Sequence, residues 1–128
     1  MNGRAPAMLA HLASLADTTR SRLLLLLDRN ELTVSELCSI TQLPQSTVSR
    51  HLKALVDGGW IGSRAEGTSR LYTMTTRSGR PEPAGGRGEL DPARRRLWML
   101  VREQVGPTPA AAQDQRRLQA ALAERRTT

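Results

Sequence analysis

Five consecutive leucines, Leu23–Leu27, constrain this chain more than any other feature. In a helix they wrap the whole circumference in apolar surface, so the helix must be covered on every side. It is therefore expected at the centre of a helical layer. No apolar run in the chain exceeds its five residues, far short of the roughly 20 that a membrane span takes. With 128 residues, no Phe and only Trp60, Tyr72 and Trp98 as aromatics, the core is expected to be small and aliphatic. This length suits one small domain with an appended arm. No basic-then-apolar leader opens the chain, and the single Cys38 cannot form an internal disulfide; both fit a cytoplasmic, reducing location without membrane partners.

Around the leucines the punctuation is helical. Met8, Leu9, Leu12 and Leu15 recur at helical spacing and predict a short helix over about 7–16. Asp17-Thr18-Thr19 offers caps for the leucine helix, which Asp28-Arg29-Asn30 ends. Thr33-Val34-Ser35-Glu36 reads as a capping box opening a short helix that turns Leu37 and Ile40 inward and ends near Gln42. Leu43-Pro44 then links to a helix over about 44–57, stopped by Asp57-Gly58-Gly59. Its Val48, Leu52, Leu55 and Val56 make one face, and Gln45, Ser46, Ser49, Arg50 and Lys53 the other.

Beyond Trp60 the period changes. Ile61–Glu66 and Arg70–Thr75 read as strands of a hairpin around Gly67-Thr68-Ser69. The order is that of a winged helix-turn-helix: mainly α, with a small β-hairpin wing. Residues 1–76 are expected to form this unit, residues 77–90 a Gly/Pro linker, and residues 91–128 C-terminal helices acting as a dimerisation arm. Asp91-Pro92 and Thr108-Pro109 each set a cap before a first-turn Pro. The first of these helices ends at Gly106-Pro107, and the second spans about 109–126 with only Leu118 and Leu122 as large apolar residues.

A net charge of +7 suggests a polyanionic partner, most simply duplex DNA. Eighteen of the nineteen cations are Arg, which fits either phosphate and guanine recognition or an Arg-favouring codon usage. Residues 61–80 hold Arg64, Arg70, Arg77 and Arg80 against Glu66 alone, a block denser in positive charge than residues 1–60 or 81–128 taken whole. In a helix-turn-helix a short helix braces a second one in the major groove. Gln45, Ser46, Thr47 and Ser49 are then placed to reach phosphates or base edges, Arg50 to fork onto a guanine, and His51 and Lys53 to add flanking contacts. Arg64 and Arg70 on the hairpin are candidate phosphate contacts. Cys38 falls where the two helices touch and is expected to be an inert buried thiol, and His11 a surface or interface residue.

Residues 15–75 resemble the ArsR/SmtB family of bacterial winged-helix repressors. Leu15-Ala16-Asp17-Thr18-Thr19-Arg20, Thr33-Val34-Ser35-Glu36-Leu37 and Gln45–Leu55 carry the resemblance, and Trp60-Ile61 and Arg70-Leu71-Tyr72 extend it into the wing. It implies a homodimer on a palindromic operator, released by a small-molecule effector. It also implies a dimer interface joining the first helix to a C-terminal one, here through Leu9, Leu12, Leu97, Trp98, Val101 and Val105. Metal-sensing members carry Glu-Leu-Cys-Val-Cys where this chain has Glu31-Leu32-Thr33-Val34-Ser35, and no His follows His51. Hydroxyls do not replace thiolates for soft metals, so a non-metal effector is expected. Gln42 stands where the family often has Gly, and Pro44 where it often has a capping Ser. The segment Leu97–Arg102 followed by Thr108–Arg126 resembles a connector in fusions of this domain to a methyltransferase, which hints at a methyl-cycle metabolite as effector.

No Gly-rich nucleotide loop follows a strand, so no cofactor is expected. Cys38, His11 and His51 are the only nucleophile and base candidates, and no spacing suggests a triad, so an enzyme is not expected. The alternatives are a scaffold that binds a protein partner through the C-terminal helices, or the DNA-binding part of a methyltransferase fusion.

Overall fold

In a computed structural model, residues 7–75 and 90–127 are described. The order is α1 (Ala7–Leu15), α2 (Thr18–Leu27), α3 (Val34–Thr41), α4 (Gln45–Asp57), β1 (Ile61–Glu66), β2 (Ser69–Met74), α5 (Pro92–Val105) and α6 (Pro109–Arg126). The expected winged helix-turn-helix with two C-terminal helices is what forms. The expected linker lies outside the described residues except for Leu90, which is buried.

The leucine helix α2 is central: Leu23, Leu24, Leu26 and Leu27 are fully buried, while Leu25 is half-buried. It contacts α1, α4, α5, α6 and β2. One aliphatic cluster runs from Leu15 and α2 through Leu37, Ile40, Val48, Leu52 and Leu55 to Leu97, Trp98 and Leu118. Burying each Leu side chain contributes about 1.5–3 kcal/mol, so the leucine run anchors the whole assembly.

Helix starts follow the caps in the sequence. Asp17 accepts from Arg20 N at 3.1 Å, Asp91 from Arg94 N at 2.8 Å and Thr108 from Ala111 N at 3.3 Å. The capping box is complete: Thr33 Oγ1 accepts from Glu36 N at 3.1 Å, and Glu36 Oε1 from Thr33 N at 3.0 Å. Pro44 occupies the cap position of α4, one residue before the helix, and supplies no side-chain bond there. Val56, expected on the core face of α4, is exposed because α4 turns its Val48–Leu52–Leu55 stripe inward instead.

The hairpin pairs Ile61 with Met74 through Glu66 with Ser69, and Gly67 takes a positive φ of 63° at the first turn position. That position of a two-residue hairpin turn favours Gly. Leu32 adds a bridge to Tyr72, with reciprocal backbone bonds of 3.0 and 2.9 Å, so the segment before α3 lines the free edge of β2.

Candidate nucleic-acid interface

The turn between α3 and α4 sets the site. Gln42 caps α3 in the left-handed region at φ 61°, donating its N–H to Cys38 O at 2.8 Å and its side-chain amide to Ser39 O at 2.7 Å. A Gly would take this conformation without steric cost; here the amide bond offsets part of it. Cys38 is half-buried against the core, and burial pushes its thiol above the ordinary range, as suits an unreactive packing residue.

From this turn α4 projects Gln45, Ser46, Ser49, Arg50 and Lys53 to solvent, with Thr47 half-buried. Arg50 carries no ion pair among the described residues, whereas Lys53 pairs with Asp57 at 3.2 Å. His51 departs from expectation. It is buried at 7% exposure, and its Nδ1 accepts from Arg20 Nε at 3.2 Å. Arg20 also donates to Ser14 O at 3.0 Å, so His51 ties α4 to the α1–α2 corner rather than facing outward.

The C-terminal end of α4 is held by α5. Arg94 donates to Gly58 O from Nε at 3.0 Å and Nη2 at 2.7 Å, lies over the Trp60 ring at 5.8 Å, and pairs with Asp91. Gly59 sits at φ 81°, a conformation that favours Gly, and a Cβ there would stand 2.9 Å from Arg94 Nη2 and displace that guanidinium. His11 is also interior to the single chain, edge-on to Trp60 at 6.1 Å, which removes the surface alternative of the surface-or-interface placement expected for it.

On the wing, both arginines are exposed and already engaged. Arg64 bonds Glu31 through Nε at 2.8 Å and Nη2 at 3.0 Å, and Glu66 through Nη1 at 2.6 Å. The Glu31 bonds first, then those of Glu66, hold its pKa above the ordinary guanidinium value. Arg70 donates to Ser63 Oγ at 2.9 Å.

Of the expected dimerisation residues, Leu9 and Leu12 are exposed, but Leu97 and Trp98 are buried within their own protomer. Val101 and Val105 are half-buried. The outward apolar residues of α5 are instead Met99 and Leu100, which join Met8, Leu9 and Leu12 of the neighbouring α1 as exposed apolar surface.

Helix α6 packs on α2 and α3. Leu118 is buried and Leu122 partly so against the core, which leaves no bare apolar face there. Arg22 forks onto Asp114 at 2.7 and 2.8 Å and reaches Thr41 O at 3.3 Å. The Asp114 hydrogen bond raises the Arg22 pKa against the opposing effect of burial. Arg117 donates to Ile40 O at 3.4 Å, and Arg125 bonds Glu36 at 2.7 Å.

Residues 17–61, from the α2 cap through α3 and α4 to the start of the wing, match the family model described as bacterial regulatory protein, arsR family. This helix-turn-helix segment is similar to that of the arsR family. The chain is 37% identical over 65 residues to the transcriptional activator HlyU of Vibrio cholerae, a match covering 51% of the chain and 60% of the relative. It is 38% identical over 61 residues, or 48% of the chain and 49% of the relative, to a probable mercury resistance operon repressor of Streptomyces lividans. The match to these curated relatives thus spans about half to three-fifths of their length.

Solved structures agree. HlyU superposes with a TM-score of 0.60 at 25% identity, covering 81% of this chain and 97% of that one. The homodimeric winged helix-turn-helix DNA-binding domain Mb0332 of Mycobacterium bovis, a possible ArsR-family regulator, gives 0.55 at 26% identity, covering 85% and 94%.

Proposed function

We propose that the chain is a dimeric, sequence-specific DNA-binding transcription regulator of the ArsR type, acting as a repressor that a non-metal effector releases. The observation that carries this reading is the outward face of α4. Ser46, Ser49 and Arg50, the last without an ion pair among the described residues, stand exposed on a helix fixed at its middle through His51 and at its C-terminal end through Gly58. A helix so held presents its side chains to a groove without the cost of ordering its backbone at the moment of binding. Gln45, Ser46, Thr47, Ser49, Arg50 and Lys53 are the proposed DNA contacts, with Arg70 at the wing; His51 acts only by positioning α4.

The dimer reading is supported by Met8, Leu9, Leu12, Met99 and Leu100, apolar side chains that the protomer leaves uncovered on adjoining helices. The similar Mb0332 domain is a homodimer, and two-fold symmetry in a regulator calls for a palindromic operator. The non-metal reading is supported by Thr33, whose hydroxyl is committed to capping α3. The C-terminal resemblance makes methyl-cycle metabolites the first compounds to try for release. Among the described residues no helix is long and apolar enough to cross a membrane, and the site of action we assign is the cytoplasm.

The test is an anisotropy titration of the full chain against its own upstream DNA and a scrambled duplex, at two salt concentrations. Preference for the upstream duplex by about a thousandfold is expected of a specific regulator. Equal binding to both would overturn the reading and leave only the attraction of a basic chain for DNA.

A further inference from the structure

The wing carries a charge arrangement that phosphate binding alone would not call for. All three guanidinium nitrogens of Arg64 are occupied: two by a bidentate fork to Glu31, the third by Glu66. Glu66 is a neighbour on the same strand face, but Glu31 comes from outside the hairpin. It sits next to Leu32, whose bridge to Tyr72 places it along the far edge of β2, and Arg64 reaches across β2 to meet it. Glu31 is fixed from the other side as well, because Arg125 of α6 donates to its backbone carbonyl at 3.1 Å. Its side chain is 23% exposed, against 62% for Glu66. Arg64 with its two carboxylates carries a net charge of minus one, and adding Arg70 brings the wing only to neutrality.

We propose that Glu31 is a specificity residue that masks Arg64 from duplex phosphates. The proposal rests on the DNA-binding reading above and deepens it. Phosphate contacts supply nearly all sequence-independent affinity, while base contacts discriminate. A masked wing holds down the first and leaves discrimination to Ser46, Ser49 and Arg50 on α4. A bidentate carboxylate fork suits this, since it is the strongest geometry available to a guanidinium. On an exposed surface each such pair still contributes little to folding, so its removal leaves the fold standing.

The full chain, its variants Glu31→Gln and Arg64→Ala, and the double variant are titrated by anisotropy against a mixed-sequence 30-base-pair duplex at several salt concentrations. Unmasking one phosphate contact steepens the salt dependence by about 0.9 in log–log slope, which corresponds to roughly fivefold tighter binding at 0.15 M salt. Glu31→Gln is expected to show both changes, Arg64→Ala to stay within about twofold of wild type, and the double variant to lose the gain. Both single variants break the same ion pair, so a change due to weakened folding would appear in both alike.

Unchanged or weaker binding by Glu31→Gln overturns the mask. So does a loss of about fivefold in Arg64→Ala, which would mean that Arg64 already meets phosphate and Glu31 merely aims it. If the wild type binds and Glu31→Gln is no tighter, the mask alone fails. If neither binds at 50 mM salt, the DNA-binding reading fails and takes the mask with it.

Discussion

Replacing Asp114 by Ala tests whether α6 is an integral layer of this domain or an arm laid against it. The carboxylate is 2% exposed and accepts both arms of the Arg22 fork, whose side chain is 17% exposed. Removing one partner of a fully buried pair costs about 3–5 kcal/mol, chiefly by stranding the other charge. Here Arg22 keeps its bond to Thr41 O and some access to water, so the expected loss is about 2 kcal/mol. For a chain of this size that lowers Tm by about 6–10 °C.

Urea denaturation followed by far-ultraviolet circular dichroism gives the free energy, and hydrogen exchange in α6 shows where protection is lost. Arg22→Met in the Asp114→Ala background should recover part of the loss, because no unpaired guanidinium remains. A loss below about 0.5 kcal/mol, or purely additive costs in the double variant, would refute the argument that this pair fastens α6 to α2 and α3.

Three further outcomes are expected. Arg50→Ala should weaken binding to the preferred duplex by about 1–3 kcal/mol and relax specificity at one base pair; an equal loss on every duplex would make Arg50 a phosphate contact. The pair Leu9→Glu and Leu100→Glu should convert a dimer to a folded monomer in sedimentation velocity, whereas an unchanged dimer would place the interface elsewhere. For Glu36, burial alone would raise the pKa, but the Arg125 guanidinium and the Thr33 N–H outweigh it and the net shift is downward from 4.5. A carboxyl depressed in the folded state contributes stability that is present above that unfolded value and is lost as pH falls through the folded one. The urea midpoint should therefore drop on acidification below about pH 4.5, less steeply in Glu36→Gln; parallel profiles would show that Glu36 is not among the groups responsible.

The helical framework is legible along the chain because its signals are local. Asp17, Thr33, Asp91 and Thr108 cap helices through atoms three residues away, and Gly67 turns a hairpin between adjacent strands. The polar face of α4 follows from a period of 3.6 and needs no tertiary knowledge. His51 escapes the same reasoning: its place on the helix leaves it at the edge of the polar face, and only Arg20, from a different helix, decides that it turns inward. Leu97 and Trp98 escape it too. An apolar stripe does not say what covers it, and here the protomer's own core does what a partner was expected to do.

Residue order and spacing suffice for the central leucine helix, the succession of helices and strands, the caps that start them and the polar residues offered by the recognition helix. Each depends on neighbours within about one turn or one hairpin, where spacing along the chain is spacing in space. The pairings of Arg22 with Asp114, Arg94 with Gly58, and Arg64 with Glu31 come only from folding, since they join residues 92, 36 and 33 positions apart. Eighteen arginines are chemically alike along the chain, and which of them braces α6, which clamps α4 and which, like Arg50, has no ion pair among the described residues depends on the carboxylates and carbonyls that folding brings within 3 Å.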